Sequence, residues 1–212
     1  MGKYEGAEAY LPDRINLTVL LEAVQDCRGC DLYKRATQAV FGEGLVRSRL
    51  MLVGEQPGDK EDEQGRPFVG PAGRVLDEAL EEVGIDRSEA YVTNVVKHFK
   101  WVPGKGGRRY HKQPSPDEIR ACRPWWEAEI EVIRPRVLVA LGATAAKAMI
   151  GSDVRVTRQR GEWIDSDLAP HVTVTVHPSS ILRQQTDRER YRAMRAFVED
   201  FRRVAGVLNG GG

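Results

Sequence analysis

At 212 residues the chain is long enough for one well-buried domain, and two would be cramped. Its 32 Lys and Arg against 31 Asp and Glu leave a net charge of +1, which exerts no global pull toward nucleic acid or an acidic membrane. No run reaches membrane-spanning length and the start, MGKYEGAEAYLPDR, lacks an apolar signal core, so the chain reads as soluble and cytoplasmic.

Leu17 to Lys34 is predicted as one helix with apolar positions Leu20, Leu21, Val24 and Leu32, and the pair Cys27-Arg28-Gly29-Cys30 falls near its end. Val40 to Gly44 is a turn feeding the first strand, Arg49 to Val53, which stops at Gly54-Glu55-Gln56-Pro57-Gly58. Asp59, Glu61, Asp62 and Glu63 then read as a solvated acidic loop, and Pro67-Phe68-Val69-Gly70 delivers one aromatic ring from a turn. Arg74 to Val83 is amphipathic and ends at Gly84, a good helix C-cap. Tyr91 to Val96 is the second strand, followed by a long polar loop from Lys97 to Pro114.

Ser115-Pro116-Asp117-Glu118 carries a capping Ser, a Pro at the first helical position and a Glu at the third. The helix it starts runs through Cys122 and Trp126 toward Ile133, with a kink expected at Pro124. Val137 to Gly142 is a continuous apolar run, as a strand covered on both faces should be, and Ala143 to Ile150 is the next helix. Val172 to Val176 is the fourth strand, ending at His177-Pro178-Ser179-Ser180. A last helix, Arg188 to Leu208, is expected to bury Tyr191, Met194, Phe197, Val198, Phe201 and Val204, ahead of a flexible Gly-rich tail over 209–212. Strands alternating with helices give an α/β fold: a three-layer α/β/α sandwich on a four-stranded parallel sheet, one domain over 1–208.

A carboxylate set between glycines at the carboxyl end of a parallel strand lies where open α/β sheets place ligand chemistry. Glu55, Asn94 and His177 each follow a predicted strand, so the three can converge on one pocket. Singly, Asn94 also reads as a turn cap and His177 as a loop histidine. A carboxylate beside a loop-borne ring such as Phe68 suits a flat polar substrate, for instance a nucleobase out of its helix. The three cysteines form no disulfide framework and need another use.

GEQPG with GRPFVGPAG, Thr93-Asn94 and HPSS resemble the motifs of the uracil-DNA glycosylase superfamily. The CxxC pair and Ala121-Cys122-Arg123-Pro124-Trp125 narrow the resemblance to its iron–sulfur family-4 branch, over roughly residues 27–183. The resemblance implies that Phe68 stacks on a flipped uracil, that the Asn94 amide pairs with its polar edge, and that His177 stabilises the departing anion. It also implies that backbone around Gly54 and Gln56 holds the base. Glu55 would stabilise the sugar cation or activate a nucleophile. In the loop after His177, Ile181 or Leu182 would be the wedge, with Ser179 and Arg183 on the DNA.

Two departures from the family pattern stand out. Family-4 enzymes have a cysteine where this chain has His98, so the implied ligands of a [4Fe–4S] cluster are Cys27, Cys30, His98 and Cys122, with structural zinc as the alternative. The stretch from Lys97 to Lys112 holds six Lys or Arg, two His and no acid, which by itself reads as a phosphate-touching loop. Its GRRYH resembles the KRRIH loop of the UdgX branch, which attaches itself covalently to deoxyribose C1′. By that resemblance His111 is the nucleophile, Glu55 orients it, Arg109 holds the loop over the site, and Lys105 and Arg108 meet DNA. The implied activity is excision of uracil from DNA, single-stranded by preference and extending to duplex, by a monomer with no obligate protein partner. The alternative is an ordinary family-4 enzyme with turnover, in which His111 only contacts DNA.

Overall fold

In the computed structural model, which describes residues 3–210, the chain begins with α1 (Leu17–Ala23), β1 (Leu50–Gly54), α2 (Asp59–Gln64), α3 (Pro71–Glu82) and β2 (Ala90–Asn94). A short hairpin, β3 (Trp101–Pro103) and β4 (Arg109–His111), leads to α4 (Pro116–Ile133), β5 (Val137–Leu141) and α5 (Ala143–Met149). The chain closes with α6 (Val156–Gln159), β6 (Trp163–Ile164), β7 (His171–Thr175), α7 (Ser179–Leu182) and α8 (Asp187–Asn209).

The sheet order is β2-β1-β5-β7-β6. The first four strands run parallel, and β6 pairs antiparallel to β7 as an added edge. Period-two alternation sends neighbouring strand residues to opposite faces. Met51, Val53, Leu138 and Ala140 pack with α1, α4 and α5, whereas Leu50, Leu52, Val137 and Val139 pack with α3 and α8. The three-layer arrangement is the expected one, with one strand more than the four anticipated: β6 is two residues long, too short to leave a periodic signal.

Four further expectations are corrected. The helix from Leu17 stops at Ala23, and Cys27 and Cys30 both take extended backbone, so the CxxC pair lies in a loop that turns its sulfurs inward; Leu21 is exposed. The acidic stretch is not a solvated loop but helix α2, with Glu61 and Asp62 buried. The stretch from Lys97 to Pro114 is not simply a polar loop: Lys97, His98 and Phe99 are buried and the rest folds as the β3–β4 hairpin. On α8, Phe197, Val198, Phe201 and Val204 are buried and Met194 half-buried as expected, but Tyr191 faces solvent at 67 % exposure. That helix reaches Asn209 and Gly210 O accepts a hydrogen bond from Arg136; 211–212 lie outside the described residues. Pro124 sits inside one continuous helix, α4, whose Ser115–Glu118 capping box forms as read. No helix among the described residues is long and apolar enough to cross a membrane.

Candidate active site

The carboxyl ends of β1, β2 and β7 open onto a cleft of about 760 Å³ lined by Glu55, Gln56, Phe68, Asn94, His111, His177, Ser179, Leu182 and Arg183. A larger groove of about 1050 Å³ lies at the amino ends of the strands, but none of these residues reaches it. The chemistry sits at the carboxyl edge, as parallel-sheet topology requires.

Gly54 shows how closely the parts converge. A Cβ there would fall 2.4 Å from Asn94 Oδ1 and 2.7 Å from the Phe68 ring, so only glycine ends β1 without pushing both away. Phe68 holds φ +55, a conformation non-glycine residues seldom adopt, and its ring stacks on His177 with centroids 5.9 Å apart. Asn94 is 2 % exposed and its Oδ1 has no hydrogen-bond partner, an acceptor left open at the floor of the cleft. Glu61 ties the two loops of the site together, its carboxylate accepting from Gly58 N at 3.1 Å and Gly70 N at 2.7 Å. Sequence reasoning missed Glu61, because a capping acid inside an acidic run carries no distinguishing signal.

His177 accepts a hydrogen bond from Ser179 N at Nδ1, 3.2 Å, which leaves Nε2 as the N–H of the neutral ring. Burial pushes its pKa down to about 4 against the pull of Glu55, so the ring is a neutral donor at physiological pH. Burial pushes the Glu55 carboxyl up, but hydrogen bonds from His111 and Thr144 and the two nearby imidazoles outweigh it and hold the group below its ordinary value.

The hairpin brings His111 in from outside the sheet. Its Nε2 lies 3.2 Å from Glu55 Oε1. Gln56 clamps both strands at their base: Nε2 donates to Lys100 O and Lys112 O, and Oε1 accepts from Lys100 N. Arg109 points away from the cleft into an acidic socket, 2.5 Å from Asp59 and from the fully buried Asp62, with Thr37 beside it. Its place is therefore behind the site, as an anchor. Lys105 and Arg108 stand exposed near the hairpin tip, outside the cleft. Ile181 is 2 % exposed and belongs to the core, which leaves Leu182, 40 % exposed, as the apolar side chain at the rim.

Beneath Asn94 lies a buried ion pair that the sequence did not suggest. Lys97 Nζ lies 2.5 Å from Glu129 Oε2 with both side chains fully buried, and it also donates to Thr93 Oγ1 and to the Asn94 carbonyl. Glu129 accepts further from Tyr91, Thr93 and Gly42 N, so its oxygens are well satisfied.

Cys27, Cys30 and Cys122 are buried free thiols, and His98 is buried as well. Lys97 N donates to Cys122 Sγ and Trp125 Nε1 to Cys27 Sγ, each at 3.2 Å. Burial pushes Cys30 up to about 11, Cys122 further still, and His98 down to about 4. Thiols so placed ionise only against a bound cation, and a neutral imidazole is the ligating form. Among the described residues no three such groups stand close enough for a single metal ion. A multi-iron cluster spreads its ligands more widely, and soft thiolates with N–H donors on sulfur fit one.

The family profile for the uracil DNA glycosylase superfamily matches residues 41–202. The chain is similar to a type-4 uracil-DNA glycosylase of Thermotoga maritima, 39 % identical over 91 % of this chain and 94 % of that one. It is 35 % identical to one of Pyrobaculum aerophilum, over 84 % and 90 %. A crystal structure of Pedobacter heparinus SMUG2 shares the fold at a TM-score of 0.51 and 12 % identity, covering 78 % of this chain and 77 % of that one.

Proposed function

This chain belongs to the uracil DNA glycosylase superfamily, and we propose that it excises uracil from DNA, single-stranded by preference, and then captures the sugar on His111. The contact between His111 Nε2 and Glu55 Oε1 supports the second half of this reading, because it brings a half-exposed imidazole at the cleft wall beside the carboxylate. Phe68 stacks on the flipped base, the open Asn94 Oδ1 accepts its N3–H, and the neutral His177 Nε2–H donates toward uracil O2.

As the glycosidic C1′–N1 bond breaks, its electron pair leaves with uracil, and His177 stabilises that anion while the Glu55 carboxylate faces the sugar cation. The lone-pair nitrogen of His111 then bonds to C1′, and the proton on its other nitrogen passes to Glu55. A positioned imidazole outcompetes water because the encounter is intramolecular.

Cys27, Cys30, Cys122 and His98 would hold a [4Fe–4S] cluster that cross-links the CxxC loop, the hairpin base and α4. Uracil excision is redox neutral, so these ligands serve architecture.

The type-4 names of the relatives favour a second reading, in which water near Glu55 completes an ordinary hydrolysis and the enzyme turns over. Peptide mapping by mass spectrometry after incubation with a deoxyuridine oligonucleotide separates the two. Capture requires the abasic strand on the peptide containing His111; unmodified protein with free uracil accumulating beyond one equivalent establishes turnover.

A further inference from the structure

Leu182 and Arg183 line the rim of the cleft, and α8 begins at Asp187. Its first two turns carry Arg188, Tyr191 and Arg192, at i, i+3 and i+4 and therefore on one helix face. All three are exposed, and Tyr191, at 67 %, buries little of its ring. Among the described residues neither Arg188 nor Arg192 has an acidic partner, whereas Arg190, Arg195 and Arg202 on the same helix pair with Asp187, Glu82 and Glu199. Two unpaired guanidiniums one turn apart repel each other at some cost to the helix. In a chain of net charge +1, such a stripe is not a by-product of overall basicity.

We propose that this face is a track for the DNA strand on one side of the flipped nucleotide. Arg183, Arg188 and Arg192 meet phosphates, and Tyr191 stacks on an unpaired base. The proposal rests on the uracil-excision reading, which brings a strand to the cleft. Charge complementarity and nearness to the rim carry it: Arg183 lines the cleft and only a short link, 184–186, separates it from the start of α8 at Asp187. A cationic path with an aromatic platform is how proteins bind single strands without regard to sequence.

The test is equilibrium binding of the intact protein to a uracil-free single-stranded oligonucleotide over a salt series. An Arg188→Ala/Arg192→Ala variant should lower the slope of log K against log salt by about 1.4, at about 0.7 per phosphate contact. Tyr191→Ala should weaken binding roughly 5- to 150-fold, the effect of losing one stacked base, and Tyr191→Phe should restore it. Uracil release at saturating DNA should stay unchanged in all three. Wild-type slope and affinity in the alanine variants would overturn the track. Because the probe lacks uracil, a wild-type protein that excises nothing would instead remove the reading beneath it.

Discussion

His111 Nε2 and Glu55 Oε1 stand 3.2 Å apart, although 55 residues of sequence and two different sheets separate them. Three side chains hold that relationship in place. Gln56, the neighbour of Glu55, grips both strands of the hairpin; Arg109 fastens it to Asp62; and Trp101 Nε1 donates to Arg35 O. The nucleophile proposed here is thus fixed to the same loop as the carboxylate that faces it.

Asn94→Ala should reduce uracil release roughly 5- to 150-fold, because about 1–3 kcal/mol is lost when the N3–H of the base is left unpaired in a buried site. Single-turnover kinetics with unchanged thermal unfolding checks this. Full activity would remove Asn94 from the site.

Lys97→Met should destabilise the fold by about 3–5 kcal/mol, since it strands the Glu129 carboxylate without its cation. The double variant Lys97→Met/Glu129→Gln, which removes the charge but keeps an acceptor for Tyr91, Thr93 and Gly42 N, should recover much of that loss. Urea unfolding of the three proteins measures it, and additive losses in the double variant would show that the two groups do not act as a pair.

His177 should stay neutral until the pH approaches about 4, against an ordinary value of 6.5. In a His111→Gly background, which removes the neighbouring imidazole, the pH profile of uracil release should show no His177 inflection near 6.5. An acid limb centred there and lost in His177→Gln would contradict the assignment. The same shift sets a stability trend. Unfolded His177 takes a proton below 6.5 and the folded ring does not until about 4, so stability is full above 6.5 and falls across that window as pH drops. The slope is up to about 1.4 kcal/mol per pH unit.

The purified protein should be brown and contain iron and acid-labile sulfide. Cys122→Ser should lose both colour and thermal stability, because it removes the ligand that α4 would contribute to the proposed cluster. A colourless preparation containing zinc would reassign the site.

Much of this architecture was legible in the chain. Continuous apolar runs ending in Gly54-Glu55, Thr93-Asn94 and Val176-His177 fixed the parallel strands and the edge where they meet, because strand ends in such a sheet share one side. The Ser115 capping box was legible for the same reason: its signal is local. What stayed hidden depends on contacts distant in sequence. Lys97 looks like one basic residue among six and is buried only because Glu129, 32 residues away, receives it. Tyr191 fits the apolar period of α8 but is left 67 % exposed, since spacing alone does not say which part of a helix face another element covers. The end of α1 was overrun because helical periodicity continued to Leu32, while the CxxC pair needs non-helical backbone to turn inward.

Mixing the protein with a labelled oligonucleotide bearing one deoxyuridine and running a denaturing gel separates covalent capture from turnover. Covalent capture requires a slow band that survives heat and SDS, is absent with thymidine and disappears in His111→Gly while uracil release persists. An alkali-labile strand with no shifted band would contradict it and leave His111 with a DNA-binding role alone.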